Sequence, residues 1–257
     1  MNPPQLFFLF LLGLALGSFL NVVIYRLPRG LSLATPGSFC PHCGHRLRWY
    51  ENLPLLSYLL QKGRCRSCGG IISWRYPLVE LTSGLLILFT FERFGWPAGA
   101  IFYLFSLLLL AATFIDLEHR IIPDEITLGG LLLGLALSPW NPLVTPFRAL
   151  VGALCGAGAF YLLGEFYAWL RGREGLGGGD HKLLALIGAF LGPWRLFPVV
   201  FLAAASGLGA ALFLFLLGRR RLSGGSALPF GPFLALGALA TLFLPRGALF
   251  FLFPTVY

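Results

Sequence analysis

Long apolar runs separated by short polar stretches constrain this chain more than any single motif. Eight such runs lie at about residues 5–25, 78–95, 98–115, 126–141, 148–170, 183–194, 196–217 and 228–245. A bilayer core roughly 30 Å thick is crossed by about 20 apolar residues in helical form. Away from water the helix is also the simplest way to pair every backbone amide and carbonyl within one segment. The runs therefore predict an all-α polytopic membrane protein with about eight transmembrane helices. The piece at 183–194 is short and ends in Gly192-Pro193, which suits a re-entrant or tilted helix. Composition excludes a soluble class: 57% of residues are hydrophobic and 11% charged, against roughly 25% charged in soluble domains. The first run follows Met-Asn-Pro-Pro-Gln, without a positive charge, and is too long for the apolar part of a cleaved signal. It is expected to be a retained helix.

Basic residues set the expected orientation. Loops 26–77, 116–125, 171–182 and 218–227 carry 15 of the 19 lysines and arginines, and the opposite connections carry Arg93, Arg148, Arg195 and Arg246. Loops rich in Lys and Arg stay on the cytoplasmic side, so both termini of a multi-pass protein are expected outside. The net charge of +9 is then accounted for by topology and by membrane lipid with anionic headgroups. It calls for no nucleic acid partner.

Only residues 26–77 are polar for long enough to form a small cytoplasmic domain. The expected division is a first helix over 1–25, a zinc-binding loop over 26–77 and a membrane core over 78–257. The loop carries Cys40-Pro-His-Cys43 and Cys65-Arg-Ser-Cys68. Two Cys-x-x-Cys pairs at this separation predict a tetrahedral zinc site. A reducing compartment disfavours disulfides, and a loop of this size buries little core without a metal. Four cysteines fill the coordination shell, so the zinc is expected to be structural, with His42 and His45 as surface residues. Cys155, inside an apolar run, is expected to be a packing residue.

Asp116 and Asp180 each stand where an apolar run meets a polar loop, Asp180 directly behind Gly-Leu-Gly-Gly-Gly at 175–179. Carboxylates at a membrane boundary are costly to place and are candidates for function. Plain structural readings compete: an i,i+4 pair with Arg120 for Asp116, and capping of the helix near 183 for Asp180. Asp124, after Pro123, reads first as a helix cap. Glu118 and Glu125 are expected to be solvated, and Glu165 to pair with a polar group on another helix. Two carboxylates on one membrane face suggest an aspartic-protease pair, in which close like charges keep one acid protonated while the other activates water. The chain lacks His-Glu-x-x-His and Gly-x-Ser-x-Gly. Gly177 and Gly179 would let a substrate backbone come close to Asp180.

These segments together resemble the prepilin peptidase family, the type IV leader peptidases. The likeness runs through Gly17-Ser-Phe-Leu-Asn-Val-Val-Ile-Tyr-Arg-Leu-Pro28, both cysteine pairs with Glu51-Asn-Leu-Pro54 and Ser57-Tyr58 between them, Ser73-Trp-Arg-Tyr-Pro77 with Glu80 and Thr82, and Pro229-Phe-Gly-Pro-Phe. Asp116 matches the first aspartate of the family's stretch ending in Ile-Pro-Asp. Asp180 and Lys182 match its Gly-x-Gly-Asp motif. The resemblance implies removal of a short basic leader from type IV prepilins and pseudopilins, after a glycine and before an apolar helix. It further implies N-methylation of the new N-terminus with S-adenosylmethionine, in pilus or type II secretion systems, with Asp116 and Asp180 catalytic. The contrasting expectation is a non-enzymatic membrane assembly or transport protein with a structural zinc knuckle.

Overall fold

A computed structural model describes residues 2–171, 177–218 and 228–244. The regular structure is helical: α1 (Pro3–Arg26), a short α2 (Leu56–Leu60), α3 (Arg75–Phe94), α4 (Ala98–His119), α5 (Asp124–Leu137), α6 (Pro146–Arg171), α7 (Gly178–Leu191), α8 (Leu196–Leu216) and α9 (Gly231–Phe243). Each of the eight apolar runs overlaps one of these helices. Among the described residues three segments, Pro3–Arg29, Ala98–His119 and Pro193–Leu216, are long and apolar enough to cross a membrane. The chain is an all-α, largely membrane-embedded, multi-pass protein. It divides into two compact units, Met1–Ala111 and Ala112–Tyr257, with α4 running through the boundary.

In the first unit α1 packs along α3. Gly13 and Gly17, one turn apart on α1, face Ser83, Gly84, Ile87 and Glu80 of α3, and a Cβ at Gly17 would come within 2.8 Å of the Glu80 Cα. Lipid tails are as apolar as leucine, so helices in a bilayer associate through close packing and polar contacts more than through hydrophobicity. Ser83 supplies such a contact, donating to the Gly13 carbonyl at 2.7 Å and lying 2.8 Å from the Tyr103 hydroxyl. At the end of α1 the buried Arg26 donates to the carbonyls of Ser32, Pro36 and Gly37. Its guanidinium thereby gathers the start of the polar loop, as expected of a buried cation that must satisfy its donors.

In the second unit α7 is the central element, packed by α5, α6 and α9. All its residues from Leu183 to Leu191 are buried, as expected of a helix apolar all round. Its 14 residues span only roughly 21 Å at 1.5 Å per residue, which fits the expected short piece. Gly152 and Gly156 of α6 lie against the backbone of Gly188 and Leu184 of α7, so close that a side chain at either glycine would strike a carbonyl. Asn141 donates to the Phe190 carbonyl at 2.9 Å, satisfying one of the acceptors left free at the end of α7.

Two expectations fail on α6. Cys155 is exposed on the helix surface, as is Glu165. An apolar run does not distinguish a lipid-facing side from a protein-facing one, because both surroundings accept the same residues.

Candidate active site and cysteine cluster

Asp116 lies in the last turn of α4 and is 5% exposed; Asp180 lies in the first turn of α7 and is 9% exposed. After His119 the chain reverses at Arg120, a non-glycine residue at φ 57°, and Pro123 precedes α5. The start of α9 closes on the same place: the Gly231 N–H donates to Asp116 Oδ2 at 3.0 Å. Ile122 stands between the starts of α7 and α9, since a Cβ at Gly179 would lie 3.0 Å from it and one at Gly231 3.1 Å. Three stretches far apart in sequence therefore converge on one buried acidic site.

Asp180 precedes the apolar run 183–194. Burial and the neighbouring Asp116 charge push its carboxyl up to about 6, partly offset by a hydrogen bond with the Gly177 backbone. Burial is the larger of the two effects, and the Asp116 charge adds to it. Asp180 is not the cap of its helix; Gly177 holds that position, in an extended conformation.

Asp124 occupies the first turn of α5 with Pro123 at the cap, and no side-chain cap bond forms there. Its carboxylate takes the Lys182 ammonium instead, at 2.7 Å and 2.9 Å. Lys182 is thus already engaged, bridging α5 to α7. Gly177 is exposed and Gly179 half-buried. Gly175 and Leu176 of the same glycine-rich stretch, and the loop 218–227, lie outside the described residues apart from Gly218. Glu118 and Glu125 are exposed, as expected.

In the first unit the thiols of Cys40, Cys43, Cys65 and Cys68 all lie within 4.8 Å of one another, with Cys40 and Cys68 4.0 Å apart. A tetrahedral zinc with bonds of ~2.3 Å separates its sulfurs by about 3.8 Å, so the donor set fits such an ion after slight contraction. The two halves repeat each other. Cys40 N–H donates to His45 O and Gly44 N–H to Cys40 O; Cys65 N–H donates to Gly70 O and Gly69 N–H to Cys65 O. Each turn closes on a positive-φ glycine, Gly44 or Gly69, and on an isolated antiparallel bridge, Phe39 with Arg46 or Arg64 with Ile71. Backbone amides of Cys68 and Ser67 draw the Cys65 thiol down to about 6, while, against a hydrogen bond with the His45 backbone, burial and the neighbouring thiols push Cys43 up to about 11. His45 lies 3.3 Å from Glu51, which also accepts the Arg48 N–H at 2.9 Å.

Sequence reasoning gives no role to Gly231, Ile122 or the Asp124–Lys182 bridge. A glycine set between aromatic residues and followed by proline, in Pro229-Phe-Gly-Pro-Phe, is the one signal the chain offers for Gly231.

Residues 11–94 match the Bacterial Peptidase A24 N-terminal domain and residues 103–214 the Type IV leader peptidase family. A prepilin leader peptidase/N-methyltransferase of Burkholderia pseudomallei strain 1026b is 42% identical over 93% of this chain and 85% of its own length. The chain belongs to the prepilin leader peptidase family. A family member of the same name from Dichelobacter nodosus is 37% identical over 93% of the chain and 92% of its own length. Another from Pseudomonas aeruginosa is 39% identical, covering 88% and 86%. No solved structure matches the chain.

Proposed function

We propose that this chain is a prepilin peptidase and N-methyltransferase of the bacterial inner membrane, cutting the basic leader from type IV prepilins and pseudopilins with Asp116 and Asp180. The observation that carries the reading is the pairing of two buried carboxylates, one of which responds to the charge of the other. Membership in the leader peptidase family supports the same activity.

In the proposed reaction one carboxylate accepts a proton from water while the protonated partner donates to the scissile carbonyl oxygen. Water oxygen bonds to the carbonyl carbon, giving a tetrahedral diol. The C–N bond then breaks as the leaving nitrogen takes a proton, and the pair returns to sharing one. The cleavage step needs no covalent nucleophile. Gly177, where a Cβ would stand 3.3 Å from Asp180 Oδ2, leaves space for the substrate backbone beside that carboxyl, and Gly179 lets Ile122 close on the start of α7. S-adenosylmethionine would supply the methyl group for the new N-terminal amine.

The proposed arrangement has eight membrane crossings with both termini outside, and the acid pair and the 26–77 loop on the cytoplasmic side, where the positive-inside rule puts their basic residues and the substrate's leader. Within it, 1–25 is an anchoring helix, 26–77 a zinc-binding domain and 78–257 the peptidase core. Cys40, Cys43, Cys65 and Cys68 would hold the zinc, and four protein ligands leave no open position for a catalytic water.

Mass spectrometry of a type IV prepilin incubated with membranes containing the chain, with and without S-adenosylmethionine, tests this. Loss of the leader is expected in both, with one added methyl only when the donor is present. An unchanged substrate mass would refute the peptidase reading.

A further inference from the structure

The start of α9 meets Asp116 through one backbone amide. The first four amides of a helix have no partner within it. Here Pro232 has no N–H, while Phe233 and Leu234 both donate to Phe230 O. The Gly231 N–H remains, and it is given to Asp116 Oδ2 at 3.0 Å. A Cβ at residue 231 would stand 2.6 Å from that same oxygen, inside van der Waals contact. Donor and missing side chain thus serve one carboxylate.

We propose that Gly231 is a positioning residue for Asp116: its amide fixes the carboxylate oxygen, and its lack of a side chain leaves that oxygen room. The inference rests on the reading of Asp116 and Asp180 as the hydrolytic acids and adds a third chain segment to them. A hydrogen bond donated to a carboxylate favours its charged form, so losing the amide should make the acid pair easier to protonate. The other charged groups acting there are Asp180 at the start of α7 and Arg120 in the turn after α4. Helix α9 itself carries no titratable residue.

The amide is tested by replacing residue 231 with glycolate in the full-length protein, which turns the amide into an ester without adding a Cβ. This N–H is outside the helix ladder, so no helical donor is lost, while the Phe230 carbonyl that accepts from Phe233 and Leu234 becomes a weaker ester acceptor, a loss the pH limb separates from that of the amide. Leader removal from a type IV prepilin in membranes should slow by about ten- to a hundredfold, the range for a hydrogen bond to a charged group, with the acid limb of kcat/KM moved to higher pH. An unchanged rate and an unchanged limb overturn the proposal. Gly231→Ala should lose more activity than the ester, and a normal rate in that variant also overturns it; if the ester protein is not recovered, this variant decides. Gly237→Ala, whose new Cβ would press on the Val199 carbonyl of α8, reports general damage to α9. A limb that moves equally in Gly237→Ala counts against Gly231. Normal cleavage by Asp116→Asn would sink the acid-pair reading itself, independently of these outcomes.

Discussion

The cysteine cluster and the acid pair hold their groups in opposite ways. Each half of the cluster is a single tight turn, Cys40–Gly44 or Cys65–Gly69, whose geometry comes from its own backbone bonds. Asp116, Asp180 and Gly231 come from three distant segments and meet only because α4, α7 and α9 are packed as they are. A locally built site depends on its ligand for stability, and a distributed site depends on the whole fold. The two should therefore fail differently when damaged.

The largest difference is expected on removing two thiols. Cys40→Ser with Cys43→Ser should abolish metal binding, since small metal modules draw most of their folding free energy from the ion, roughly 10 kcal/mol or more. Metal analysis of the purified protein and limited proteolysis should report metal loss and cutting within 39–71. The second unit should keep its helices, so leader cleavage should survive in part. Complete loss of α6–α7 protection in the same variant would show that the sites are not separable.

Asp116→Asn or Asp180→Asn should do the reverse. Cleavage should fall by about 10³-fold or more, the scale for removing a positioned acid or base, with metal content unchanged. Prepilin trimming and metal analysis on one preparation check both halves of the statement. A variant that trims at the normal rate would remove that aspartate from the chemistry.

The third effect separates catalysis from stability. Asp180 has a folded value of about 6 against an ordinary 3.8, so between these values the folded protein binds more protons than the unfolded chain. Stability then falls as pH rises through that window, and the cost persists above it. Asp180→Asn should relieve it, stabilising the protein by on the order of 3 kcal/mol at about pH 7.5 and hardly at all near pH 3.5. Thermal midpoints in detergent at the two pH values measure this. Equal midpoints for variant and parent at the higher pH would mean that the carboxyl is not strained.

The same contrast governs which features are legible in the sequence. Hydropathy locates the helices to within a few residues, and Cys-x-x-Cys-Gly, present in the first half as Cys40–Gly44 and again in the second as Cys65–Gly69, encodes the cluster in adjacent residues. Asp116 and Asp180 stand out because charge is rare in so apolar a chain. Gly231 does not, because its importance lies in an amide and an empty volume beside a residue 115 positions away. Cys155 and Glu165 defeat the expectation because the lipid-facing side of α6 is as apolar in sequence as its packed side. The pairing of Asp124 with Lys182 is hidden by the ordinary appearance of an acid in the first turn of a helix.

That bridge gives the smallest expected effect and the finest distinction between packing and chemistry. Lys182 and Asp124 are linked at 2.7 Å, yet their side chains are 33% and 55% exposed, and exposed ion pairs contribute about 0–1 kcal/mol. Lys182→Ala should therefore cost less than about fivefold in cleavage if the lysine acts only by tying α5 to α7. Asp124→Ala should cost as much, and the double variant no more than either single one, the signature of an isolated pair. A much larger loss in Lys182→Ala alone, above all in KM, would mean that the ammonium leaves Asp124 to meet the substrate. Lys182 would then belong to the binding surface along with Gly177 and Gly179, and the distributed site would extend to a residue that the resting structure holds elsewhere.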